Sequence, residues 1–137
     1  MPPRKQENRH PLLWLVRERN EIYLVNSSED TLDFVIATSG GFQTVDDYVI
    51  VVNSKNEYEY KNIKPHDAVK VEEYDGFYDL DYYLNITLMV QSIGIGCLEI
   101  ISPVKKGGVG ETVLLWNTKE NGKDVSIKIR PSNKDRP

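Results

Sequence analysis

The sequence predicts an all-β protein, a single antiparallel β-sandwich. Apolar and polar residues alternate over stretches of about five to nine residues, the period of a half-buried strand, and such stretches recur at roughly ten-residue intervals. Turn-forming residues separate them, and no window holds a helical period for more than about two turns. About nine or ten strands, joined by connections too short for parallel crossover helices, leave a sandwich or a barrel, and the sandwich is the expectation.

Leu12 to Arg17 opens the folded part, and Glu21 to Val25 follows across the polar break Glu18-Arg19-Asn20. Asn26-Ser27-Ser28-Glu29-Asp30 punctuates the chain before Leu32 to Thr38, where Leu32, Phe34 and Ile36 are expected on one face of the pleat. Ser39-Gly40-Gly41 is expected to end that strand, because paired glycines weaken regular elements and suit turns with positive φ. Tyr48 to Asn53 is a nearly unbroken apolar run, the pattern of a central strand covered on both faces. Glu57 to Ile63 alternates so that Tyr58 and Tyr60 point one way, and Pro65 closes it.

Ala68 to Tyr74 alternates again, with Val69 and Val71 opposite Lys70 and Glu72. Tyr82 to Gln91 carries the clearest pattern in the chain, with Leu84, Ile86, Leu88 and Val90 on one face and Asn85, Thr87 and Gln91 on the other, and is expected to be central. Gly94 and Gly96 mark a bend or bulge before Leu98 to Ile101. The loop Pro103 to Gly110, expected to be flexible with a mobile positive tip at Lys105 and Lys106, leads into Thr112 to Asn117. Asn121-Gly122 has the chemistry of a type I′ turn, so the last two strands are expected to form a hairpin with Val125, Ile127 and Ile129 facing in.

At 137 residues the chain suits one hydrophobic core, so residues 12-130 are expected to form one domain between flexible tails at 1-11 and 131-137. The net charge of −4 is uneven: Asp67 to Asp81 holds six acids and one base, which leaves the rest of the chain at +1. A mildly acidic chain without a basic stripe argues against nucleic acid as a partner. No apolar run approaches the ~20 residues of a membrane span, and Met1 to His10 is not followed by the apolar core of an export signal, so no membrane partner is expected. The lone Cys97 cannot form an intramolecular disulfide, which favours a reducing compartment, and a cytoplasmic location is the expectation.

Catalytic chemistry finds little material. Nucleophilic catalysis needs a base beside Ser, Thr or Cys, and the chain offers only His10 in a tail and His66 in a turn. Cys97 lies in an apolar context that suits a small buried residue, and one Cys with two distant His residues excludes the usual zinc sites. Lys105 to Glu111 has glycines and lysines in the wrong order for a phosphate loop, with a strand rather than a helix after it. No enzyme activity, cofactor or metal is expected.

Asp79-Leu80-Asp81-Tyr82-Tyr83-Leu84 resembles the Asp-then-Tyr corner at the start of strand F in immunoglobulin-like domains. The resemblance implies an immunoglobulin or fibronectin type III architecture, although the family's disulfide partners are absent.

Glu72 to Tyr83 is both the aromatic and the electrostatic extreme of the chain, with five aromatic side chains and five carboxylates. One reading makes it a protein-recognition loop, with Tyr74, Phe77 and Tyr78 as anchors and Asp75, Asp79 and Asp81 steering a basic partner. A second folds its aromatics back to cap one end of the sandwich. A third uses Asp75, Asp79 and Asp81 for calcium, or the rings for sugars, though the Asp-x-Asp-x-Asp-Gly pattern of an EF-hand is missing. The function expected is a non-enzymatic protein-binding or accessory module, with a carbohydrate-binding module as the alternative. An exposed edge such as Glu57 to Ile63 offers a further contact, to a partner or to another copy.

Overall fold

The computed structural model describes residues 9–45, 48–52, 57–74 and 82–130. Among them are eleven strands and no helix: β1 (Pro11–Glu18), β2 (Glu21–Asn26), β3 (Leu32–Val45), β4 (Tyr48–Val52), β5 (Glu57–Ile63), β6 (Ala68–Glu73), β7 (Tyr83–Ser92), β8 (Gly96–Ile101), β9 (Lys105–Lys106), β10 (Thr112–Trp116) and β11 (Ser126–Arg130). They form two antiparallel sheets. A four-stranded sheet runs β10-β1-β2-β6, and a seven-stranded sheet runs β11-β8-β7-β3-β4, with β5 also paired to β3 and β9 to β7.

Alternation sets the inner faces. Leu13 and Leu15 of β1, Ile22 and Leu24 of β2, and Leu114 of β10 face Val35 and Ala37 of β3, Ile86, Leu88 and Val90 of β7, and Ile100 of β8 in one continuous core. The expected central strand β7 is central, held by β3 on one side and by β8 and β9 on the other. Between β8 and β9, Ser102 keeps the ladder closed: its N–H donates to the Ile86 carbonyl at 2.9 Å and its hydroxyl accepts from the Ile86 N–H at 2.8 Å.

Several sequence expectations are corrected. Strand β3 does not stop at Ser39-Gly40-Gly41 but runs through the glycines, which pair with Asn85 and Leu84 of β7. At this point its other edge passes from β5, paired with residues 32 to 38, to β4, paired with residues 41 to 45. Consequently β4 is an edge strand in the described residues, not a central one. Phe34 and Ile36 take the outer face of β3, half-buried, while Leu32 is buried.

The final hairpin is absent, because β10 pairs with β1 in one sheet and β11 with β8 in the other. After β10 the chain turns at Trp116 to Glu120, makes a single bridge from Asn121 to Leu115, and crosses to the opposite sheet. Val125 is buried and Ile127 half-buried, but Ile129 is 85 % exposed. The loop after Pro103 is likewise anchored, through β9 and through Val109, which is fully buried.

The β2-to-β3 crossover hangs on Asn26, a fully buried amide. Its Nδ2 donates to the carbonyls of Asp30 (2.9 Å) and Ile63 (3.1 Å), and its Oδ1 accepts from the Ser28 N–H (3.1 Å) and hydroxyl (2.6 Å). Both hydrogens of the amide nitrogen are therefore engaged. Asn26→Ala strands these partners in a dry site, and a loss of about 2 to 3 kcal/mol is expected in chemical denaturation. A loss below about 0.5 kcal/mol would mean that water replaces the side chain.

Candidate functional site

The acidic, aromatic segment is flanked by Tyr74 and Tyr82, both tied to the loop of residues 107 to 109. Tyr74 is 5 % exposed and belongs to the core, not to the surface. A bulge puts it there. Ile22 pairs with Glu72 and Tyr23 with Lys70, so Val71 is an extra residue in β6, and the side-chain parity flips beyond it. Val71, Glu72 and Tyr74 are all buried as a result, whereas simple alternation from Val69 and Val71 would have pointed Glu73 inward.

Contacts from both backbone and side chain hold Tyr74 in place. Its hydroxyl accepts the N–H of buried Val109 at 3.1 Å, its own N–H donates to the Asn20 carbonyl at 2.7 Å, and the Arg17 guanidinium lies 5.2 Å from the ring centroid. Arg17 also donates to the carbonyls of Arg19 (2.8 Å) and Gly107 (3.1 Å), which joins the β1–β2 turn to the glycine loop. Gly108 passes over the ring at φ 104°, and a Cβ there would sit 2.3 Å from it. On the returning side, the Gly107 N–H donates to the Tyr82 carbonyl at 2.8 Å, and Tyr83 and Leu84 pair with Lys106 and Lys105.

Of the residues that the sequence nominated, Tyr74 is thus a core plug, which removes it as a solvent-facing anchor. Asp75, Phe77, Tyr78, Asp79 and Asp81 lie outside the described residues. The structure adds three acids that the linear sequence does not bring together. Cross-strand pairing sets Glu18 against Glu21 and Glu21 against Glu73, and these carboxylates line a cleft of about 350 Å³ with Arg19, Asn20 and Tyr23. The Tyr23 hydroxyl donates to Glu21, and that bond to a carboxylate raises its pKa. Lys70 donates to Glu73 at 2.8 Å, which raises the ammonium pKa. The signal that would have found this cluster is the strand register, and a sequence alone does not supply it.

Elsewhere, Cys97 is buried and its thiol pKa is pushed up by that burial, the reverse of what a reactive cysteine needs. Among the described residues no group of His, Cys, Asp or Glu is placed to hold a metal, and no helix is long and apolar enough to cross a membrane. The outer face of the four-stranded sheet carries Trp14 and Val16 of β1, Tyr23 and Val25 of β2 and Val113 of β10, all half-buried against one another. Trp14 is pinned there by a 3.0 Å bond from its Nε1 to the Ser27 hydroxyl. The fold is that of a two-sheet antiparallel β-sandwich. No protein-family model, no curated protein and no solved structure matches the chain.

Proposed function

We propose that this is a non-enzymatic protein-binding module of immunoglobulin-like architecture that works in a reducing, cytoplasmic setting and meets a basic partner through residues 75 to 83. The strand order supports the architecture: β1-β2-β6 follows the neighbour order A-B-E, and β8-β7-β3-β4 follows G-F-C-C′. The departures are β5, which joins β3 instead of extending the A-B-E sheet, and the added β10 and β11. In this scheme the acidic segment is the E-to-F connection.

The observation that carries the reading is the mounting of that segment. Its two ends are fixed by Tyr74 and by the Tyr82 and Tyr83 pairings, beside an ordered cleft of three more carboxylates. Like charges opposed across strands cost stability, and gathering them next to Tyr74, where a stretch of sequence with three more aspartates begins, suits the attraction of a basic surface. Rigid sandwiches commonly present recognition residues on such connections.

The test is capture from a lysate of the native host with wild-type and Phe77→Ala, Tyr78→Ala baits, with Tyr74 left intact because it belongs to the core. A basic protein held by the wild type, released by raised salt and lost from the double variant at unchanged melting temperature is the expected result. Identical capture by both baits would move attention to the carbohydrate-binding alternative and to the outer face bearing Trp14 and Tyr23, which stand diagonally across β1 and β2.

A further inference from the structure

The end of the sandwich where β7 finishes carries an apolar cleft with Lys119 at its lining. The seven-stranded sheet is five strands wide along its main path and overhangs the four-stranded one. Exposure therefore grades outward along a single inward-facing row: Val90 of β7 is 0 % exposed, its partner Leu98 of β8 is 7 %, and its partner Ile129 of β11 is 85 %. Ile129, Ile127, Ile95, Leu98 and Leu115 line a cleft of about 320 Å³ that opens between the sheets, with Lys119 as its charged lining residue. Ile93, in the adjoining turn, is 94 % exposed. From Lys119 to Arg130 the chain holds four bases and two acids, Arg130 is paired with Glu99 of β8, Asp30 lies beside Gly94 at the rim, and β11 is an edge strand, so Lys119 is the cation that the cleft itself presents.

This surface is complementary to one segment of the same chain. Residues 75 to 81 carry Asp75, Asp79 and Asp81 with no base, interspersed with Phe77, Tyr78 and Leu80. The segment cannot reach the cleft of its own molecule. It is tied at Tyr74 and Tyr82 to the end where β7 begins, and the ten residues of β7 span about 30 Å at ~3.3 Å per residue before the turn beside the cleft. A seven-residue segment fixed at both ends reaches about 12 Å from its base. Symmetric pairing of β11 with its own copy is opposed by charge, because centred antiparallel registers set Lys128 against Lys128 or Arg130.

We propose that the cleft receives residues 75 to 81 of a second copy, with apolar side chains seated against Ile127 and Ile129 and aspartates beside Lys119. The contact joins unlike surfaces, so it propagates head to tail and does not close on itself as a two-fold dimer does. The proposal rests on the reading of that segment as a binding element and adds the identity of one partner.

Sedimentation velocity of the full chain tests it. The wild type is expected to grow in size with concentration at low ionic strength and to return to monomer in high salt. Ile129→Asp, at a site exposed enough to accept the charge, and Asp79→Asn, Asp81→Asn, at the other surface, are each expected to weaken association about tenfold or more. Phe77→Ala, Tyr78→Ala is a second way to disable the segment. An equimolar mixture of Ile129→Asp with Asp79→Asn, Asp81→Asn retains one good cleft and one good segment, and should form a heterodimer and nothing larger. A monomeric wild type at every concentration, association indifferent to Ile129→Asp, or a mixture that grows past the dimer would each overturn the proposal. If a monomeric wild type still captured another protein in a Phe77- and Tyr78-dependent way, self-association would fall and the binding role of the segment would stand.

Discussion

Gly122→Ala is expected to destabilise the domain by about 4 kcal/mol or more, at the extreme of what single substitutions do. Gly122 lies where the chain passes beneath β10 on its way to the opposite sheet, with its N–H donating to the Leu114 carbonyl at 2.9 Å. A Cβ at this position would lie 1.6 Å from the Val113 carbonyl oxygen and 2.6 Å from its carbon. The obstacle is backbone, so no side-chain rotation relieves it, and the backbone it would displace belongs to a strand paired with β1.

Two other glycines supply the controls. A Cβ on Gly110 meets nothing within 4 Å, so Gly110→Ala should be neutral to within about 0.5 kcal/mol. Gly96 also has open space but a φ of +76°, so Gly96→Ala isolates the conformational cost at about 1 kcal/mol. Chemical denaturation of the three variants should rank them Gly110, Gly96, Gly122 in rising cost. Equal effects at Gly110 and Gly122 would refute the close approach under β10.

The role of Gly122 shows which kind of information the sequence carries. Strand periods were legible because burial of one face imposes alternation locally: β5 and β7 lie within a residue or so of where the pattern places them, and β7 is central as its apolar face implies. Sheet membership was not legible, because it depends on which strand the chain meets after a crossover. Asn121-Gly122 reads as a hairpin turn by its dipeptide chemistry, yet the glycine serves a close approach to the Val113 backbone of β10. Gly40-Gly41 reads as a stop and is instead the place where β3 exchanges one edge partner for another. At the candidate site the misleading feature was parity. One extra residue at Val71 turns Tyr74 inward, and a bulge leaves no mark in composition.

Tyr74→Ala is the second large effect, an expected loss of about 4 kcal/mol, in the range of other large-to-small aromatic truncations. The ring fills a space bounded by Gly108, whose positive φ lets the loop backbone pass close over it, and by the Arg17 guanidinium. Its removal leaves a cavity and strands the buried Val109 N–H. Tyr74→Phe keeps the ring and removes the hydroxyl that accepts from Val109, so about 1 to 2 kcal/mol is expected in the same denaturation assay. If Tyr74→Ala cost no more than Tyr74→Phe, the ring would not be a core element and its assignment as an anchor for a partner would return. With the ranking as expected, any loss of binding in a Tyr74→Ala variant reports collapse of the base on which residues 75 to 81 are mounted. Phe77, Tyr78, Asp79 and Asp81 are then the positions at which the proposed binding is tested, each variant being compared with the wild type in the same denaturation assay.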